Sequence, residues 1–170
     1  MSAHELDSAG KMARKRYPMW APRFWHGMTF GDWVRLLSRN RFHIGPTHWG
    51  MAGSITLASC LNSTLACLSE WRYAKRVSET NVEHPPIFIL GHWRSGTTYL
   101  HQLLSHDPRW TSPTTYECFV PSHFLLTGSW LPRLIGFLLP NKRPMDDVRA
   151  GWNEPQEDEF ALCAMGAPSP

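Results

Sequence analysis

The chain has no CxxC pair, no histidines spaced around its cysteines as zinc ligands, no apolar leader and no low-complexity tract. Each absence narrows the reading. Four unpatterned cysteines (Cys60, Cys67, Cys118 and Cys163) in 170 residues read as reduced and structural, not as a disulfide frame or a zinc site. The N-terminal MSAHELDSAGKMARKRYP has no apolar stretch after its basic residues, which argues against a secretory signal and makes a cytoplasmic location the default. Charge is also modest, at 18% of residues with a net +3. A nucleic-acid binder concentrates its Lys and Arg in a patch. The clearest cluster here, Lys11–Arg16, reads as a solvated arm, so no nucleic-acid partner is expected. Nothing in the sequence indicates an oligomeric state.

Lys, Arg, Asp and Glu are missing altogether from Phe42 to Ser69, a run long enough to cross a bilayer. Gly45, Pro46, Asn62 and many Ser and Thr dilute its hydrophobicity. Met51, Ile55, Ala58, Leu61, Leu65 and Leu68 fall on one helical face, with Asn62 intruding on it. That spacing predicts an amphipathic helix, buried or lying at an interface, in preference to a spanning one. A peripheral membrane contact through this run is left open.

Two regions are expected. Residues 1–84 form an N-terminal arm and a helical region. Thr29 or Asp32 opens a short helix through Arg39, and the long apolar helix continues towards Arg76. The pair Pro85–Pro86 separates this region from residues 85–170. There, Ile87–Leu90 is a short continuous apolar run that predicts a strand of a parallel sheet. Gly91–Gly96 breaks the chain, and Thr97–Ser105 predicts a helix with Leu100, Leu103 and Leu104 inward. A second extended stretch is expected around Tyr116–Val120, and two short helices in His123–Leu139, broken at Pro132. A final helix over Glu157–Met165 has acids in its first turn, favourable to the helix dipole. One strand cannot complete a doubly wound sheet, so the sequence is expected to be the N-terminal portion of a longer protein. The fold class is α/β: a P-loop-like parallel sheet with flanking helices, incomplete in this chain, preceded by a helical N-terminal region.

The segment Gly91-His92-Trp93-Arg94-Ser95-Gly96-Thr97-Thr98 carries the chemistry. Its G-x4-G spacing between strand and helix is the frame of a nucleotide-binding P-loop, in which backbone N–H groups and a helix N-terminus cradle an anion. The position that holds Lys in a P-loop NTPase is Thr97, and the cation sits earlier, at Arg94. A guanidinium offers a planar fork of donors to phosphate or sulfate oxygens. Charge placed inside the loop suits a donor handled without a metal ion.

FILGHWRSGTTYLHQLLSHDP resembles the 5′-phosphosulfate loop of sulfotransferases, and most of all the group with Arg-Ser-Gly-Thr-Thr, which includes tyrosylprotein sulfotransferases and many bacterial proteins. PTTYECFVPSHF (Pro113–Phe124), RPMDDV (Arg143–Val148) and PQEDEFAL (Pro155–Leu162) also look like the bacterial members. The resemblance implies transfer of a sulfuryl group from 3′-phosphoadenosine-5′-phosphosulfate to a hydroxyl or amine of a small-molecule, lipid or protein acceptor. It implies that Arg94 contacts the 5′-phosphosulfate and stabilises the leaving group, and that Ser95, Gly96, Thr97 and Thr98 line the loop. By the tyrosylprotein branch, Glu117 is the first candidate for the base. His123 is the second, and Glu157, Asp158 and Glu159 are the third. The Lys-Thr-His motif of the cytosolic sulfotransferases is absent, and no strand–Arg–Ser arrangement for the donor's 3′-phosphate is visible before Pro170. The rival readings are a truncated or inactive nucleotide-binding module and, less favoured, a P-loop kinase or NTPase.

Overall fold

A computed structural model describes residues 23–92, 95–136 and 151–167. Its order is a 3-10 turn (Phe24–Gly27), α1 (Phe30–Arg39), a second 3-10 turn (Pro46–His48) and α2 (Trp49–Ser78). Then follow α3 (Thr97–Ser105), α4 (Thr115–Phe119), α5 (Phe124–Thr127), α6 (Leu131–Leu134) and α7 (Asp158–Ala164).

The N-terminal region matches the expectation and sharpens it. Thr29 caps α1: its hydroxyl accepts the Asp32 N–H at 3.3 Å and donates to the Asp32 carboxylate at 2.7 Å. α1 lies along the first half of α2, where Met28, Trp33 and Ile55 form a buried cluster with Leu36, Leu37, Met51 and Ala52 packed around it.

The orientation of α2 differs from the one predicted by its apolar spacing. Its buried residues are Ile55, Ser59, Asn62 and Ser69, while Leu61 and Leu68 face outward. The reason is polar. The Asn62 amide donates to the carbonyls of His26 (2.6 Å) and Met28 (3.0 Å). Trp33 Nε1 donates to Thr56 Oγ1 (3.0 Å), and the Phe30 N–H donates to Ser63 Oγ (2.8 Å). A turn that brings backbone carbonyls, an amide N–H and an indole N–H into a packed interface must find partners there. Asn62 supplies the donors and the Thr56 and Ser63 hydroxyls the acceptors, and they take that face of α2 inward.

Asn62 Oδ1 also lies 3.2 Å from Nε2 of His123, which is 1% exposed. An amide oxygen only accepts, so Nε2 carries the proton. The one proton of the Thr127 hydroxyl is then shared between Nδ1 at 2.9 Å and the His123 carbonyl at 3.0 Å, and Thr127 in turn accepts from the Tyr116 hydroxyl at 2.6 Å. This relay ties α2 to α4 and α5. Around its end Tyr116, Val120 and Trp152 form a second buried cluster, with Trp152 edge-on to Tyr116 (5.9 Å) and to Phe119 (5.5 Å). α7 follows the expected span and reaches back to the first turn, where Phe160 meets Phe24 edge-on.

One further expectation is corrected. Residues Tyr116–Val120 are not extended. Thr114 and Glu117 form a reciprocal capping box, Glu117 N–H to Thr114 Oγ1 (3.3 Å) and Thr114 N–H to Glu117 Oε2 (2.7 Å), which opens α4. Ile87–Leu90 forms no strand among the described residues, where the single β-bridge joins Thr114 and Pro155. A strand exists only through a partner's ladder bonds, and Phe88 and Leu90 are 75% and 90% exposed with no such partner beside them. For the same reason Leu100 and Leu103 of α3 are exposed instead of inward, and only Leu104 is half-buried. The helical N-terminal region thus stands as expected, and the parallel sheet is not formed among the described residues.

Burial lowers the imidazole pKa of His123 below its ordinary 6.5, and burial likewise lowers that of His26. Burial disfavours the charged form of both groups in the folded protein, so they take up protons more readily when unfolded. Their contribution to stability is therefore complete above pH 6.5 and falls as pH drops below it, towards the lowered folded values. The melting temperature is expected to fall between pH 7 and pH 5 (about two units), and a His123→Gln variant should show a shallower fall. A melting temperature flat across that window contradicts the buried, neutral His123.

Candidate functional site

The loop after Leu90 is shaped by its glycines. Gly96 has φ +89° and ψ 15°, a left-handed conformation open to glycine at little cost, and it is the N-cap of α3. A methyl group at Gly91 would come within 2.6 Å of Thr97 Cγ2 and 2.8 Å of Ser95 Oγ, so the loop folds tightly over that position. The Ser95 N–H and hydroxyl both donate to the His92 carbonyl, at 3.1 and 2.6 Å.

These contacts leave a set of donors at the start of α3. The first backbone bond of the helix runs from the Leu100 N–H to the Gly96 carbonyl at 3.0 Å, and no side chain caps the N-terminus. The N–H groups of the first turn point along the helix axis towards the loop, with the positive end of the helix dipole behind them. Ser95 and Gly96 are exposed, while Thr97 and Thr98 are half-buried. Backbone donors, the Thr97 hydroxyl and a glycine turn suit the oxygens of a phosphate or sulfate group. Arg94 and Trp93 lie outside the described residues, as does Arg143–Val148.

Beside Gly91 and Thr97 lies a cavity of about 760 Å³, walled by the extended chain through Ile87–Leu90, by His101 and Leu104 of α3, and by Glu157–Glu159. Among the described residues no group of His, Cys, Asp or Glu is arranged to hold a metal ion.

Residues 85–158 match the model of the Sulfotransferase family. The chain is 46% identical over 165 residues to the protein named omega-hydroxy-beta-dihydromenaquinone-9 sulfotransferase Stf3 of Mycobacterium bovis, and equally to its namesake in Mycobacterium tuberculosis. The chain is thus similar over nearly its whole length to sulfotransferases, and its residues 85–158 carry the pattern of that family. Those alignments cover 97% of this chain and 42% of each relative, so the chain spans well under half the length of the curated proteins it matches. No solved structure matches it.

Sulfuryl transfer needs a group to take the acceptor's proton, and the structure places the three candidates very differently. Glu117 is half-buried, and its carboxylate is engaged in the capping box of α4. His123 is a core histidine: both ring nitrogens have partners inside the protein, and no acceptor reaches it. Glu157 reaches the glycine loop itself, where its Oε1 accepts the Thr98 hydroxyl at 2.6 Å. No local pattern announces this meeting across 59 positions, because an acid at a helix start reads as a dipole partner first. Cys118 is buried, and burial pushes its thiol up to about 11, far from thiolate formation at neutral pH.

Replacing Gly96 by Ala puts a side chain into a left-handed backbone, at a cost of about 1–2 kcal/mol. The variant is expected to melt several degrees lower and to lose sulfate binding together with stability. Calorimetry and sulfate titration check both, and a neutral outcome would show that the loop does not hold this conformation.

Proposed function

We propose that this chain forms the donor-binding part of a sulfotransferase that transfers a sulfuryl group from 3′-phosphoadenosine-5′-phosphosulfate to a hydroxyl or amine of a lipid-like acceptor. The observation that carries this reading is the uncapped N-terminus of α3 behind Gly96, inside the segment that matches the family. The donor supplies an activated sulfuryl group, and the chain supplies its grip. Ser95, Gly96, Thr97 and Thr98 would hold the 5′ end through backbone N–H groups and hydroxyls. Arg94 would place its guanidinium against the charge that grows on the leaving oxygen. Glu117, by its resemblance to the tyrosylprotein branch, would serve as base after giving up its cap to Thr114. In this reading Ile87–Leu90 is a strand of a parallel sheet.

A lipid-like acceptor is supported by the relatives, whose name specifies a hydroxylated dihydromenaquinone. One feature of this chain fits such a substrate. The outward face of α2 presents Leu57, Leu61, Leu68 and Trp71, the last 84% exposed, without a charge from Trp49 to Ser69. Exposed Arg39, Arg41 and Trp49 stand near one end, and exposed Trp71, Arg72, Lys75 and Arg76 at the other. By length and composition Pro46–Ser78 suffices to cross a bilayer. Because its inner face is held by α1 and the first turn, we read it as lying in a membrane surface with the apolar stripe down. Vesicles containing phosphatidylglycerol are expected to sediment the protein, and Leu61→Asp with Trp71→Glu to abolish that without lowering the melting temperature. Sedimentation that survives both changes speaks against this seating.

The enzymatic reading is tested by turnover of the 3′-phosphoadenosine-5′-phosphosulfate donor. Arg94→Ala should reduce kcat by about 10³-fold, the scale set by removing one strong stabiliser of transition-state charge. A normal rate in that variant refutes the role of Arg94. Failure of the wild-type full-length gene product to bind 3′-phosphoadenosine-5′-phosphate favours a truncated or inactive nucleotide-binding module instead, and a magnesium requirement favours a kinase or NTPase.

A further inference from the structure

The bond between Thr98 and Glu157 joins the anion loop to a helix that begins far along the chain, and it is built from two unusual features. Glu157 is the N-cap residue of α7, yet its side chain makes no capping bond to its own helix. Its backbone is also held in place. Gln156 N–H donates to the Pro113 carbonyl (3.0 Å), Thr115 N–H to the Glu154 carbonyl (2.8 Å), and Tyr116 N–H to the Trp152 carbonyl (2.9 Å). The chain entering α7 is thereby clamped against the start of α4, and the carboxylate is delivered to Thr98 instead of to the nearby orphan N–H groups of α7. At 2.6 Å the contact has the length of a charge-assisted O–H···O⁻ bond.

We infer that Glu157 is a positioning residue that competes with the sulfuryl donor for the Thr98 hydroxyl, and so sets how tightly the loop holds its anion. This rests on the reading of the loop as the donor's 5′ site. A hydroxyl has one proton. While that proton is given to Glu157, Thr98 offers only lone pairs to the hollow, and an arriving sulfate or phosphate oxygen meets an acceptor where it needs a donor. Anion binding therefore requires the hydroxyl to rotate from the carboxylate to the ligand. The carboxylate left behind is a like charge beside the bound group, a repulsion that favours departure of the spent nucleotide. Loop occupancy and the start of α7 are linked through one proton.

The test is titration of the full chain with 3′-phosphoadenosine-5′-phosphate, and separately with sulfate alone, at low and high salt. Glu157→Gln keeps the shape and removes the charge. It is expected to bind both anions about 5-fold more tightly at low salt, with the gain shrinking as salt screens the repulsion. Thr98→Val, which keeps the volume and removes the hydroxyl, should weaken binding of both. Unchanged or weaker binding in Glu157→Gln, a gain indifferent to salt, or full affinity in Thr98→Val each overturns the inference. If the nucleotide binds neither protein while sulfate binds Glu157→Gln more tightly, the competition stands and the donor assignment fails. If neither probe binds either protein, the competition itself is refuted.

Discussion

The arrangement of the described residues depends on one buried amide. Asn62 is 8% exposed, and it uses both of its donor hydrogens and its carbonyl inside the protein. Leaving such a group half-paired costs about 1–3 kcal/mol, and here three partners would be stranded with it. The His26 and Met28 carbonyls belong to the turn that leads into α1, and His123 belongs to the segment that leads into α5. A single side chain at the middle of α2 therefore sets where the N-terminal turn and the α4–α5 segment sit. The relay through His123, Thr127 and Tyr116 extends that control to the aromatic cluster around Trp152. Packing of Met28, Trp33 and Ile55 supplies hydrophobic stabilisation, but it is the amide that chooses which face of α2 receives it.

That choice has a consequence on the opposite side. A helix with enough Leu to bury one face has instead turned its small polar face inward, so its leucines and Trp71 look out. A continuous apolar stripe on a surface marks a place where another apolar phase is met. Aromatic and basic residues stand at the two ends of the stripe, and the proposed seating on a lipid surface rests on that pattern.

Legibility of the chain followed the range of the interactions. Helices with local signals were readable: Thr29 before α1, the glycine turn before α3, and acids opening α7 all act within one turn of the residues they organise. The Thr114-x-x-Glu117 box acts as locally and was equally present in the sequence, but the aromatic and β-branched residues around it read as extended. The orientation of α2 was not legible, because apolar spacing measures what a helix offers and not which polar groups its neighbours demand. Ile87–Leu90 shows a related limit: its composition is that of a buried strand, but a strand's existence is decided by what lies beside it. Within the candidate site, the loop from Gly91 to Thr98 was legible as a motif, whereas the arrival of Glu157 at Thr98 depends on the clamp between residues 113–116 and 152–156, a pairing that no local pattern announces.

The two glutamates show how the same side chain is committed to different work by its surroundings. Glu117 sits at the third position of its helix, where the capping N–H of Thr114 lies within reach, and its carboxylate is satisfied locally at 2.7 Å. Any part in proton transfer would first cost α4 its cap. Glu157 precedes its helix, and its extended backbone, with φ −72° and ψ 135°, turns the side chain away from the helix it begins. Its carboxylate must find a donor elsewhere, and the nearest provided is the hydroxyl of the anion loop. In one case the acid is consumed by secondary structure, and in the other secondary structure delivers it to the site. The loop accordingly carries both its attraction for anions, from the helix N-terminus, and a built-in opponent of that attraction, and the balance between them is held by the proton of Thr98.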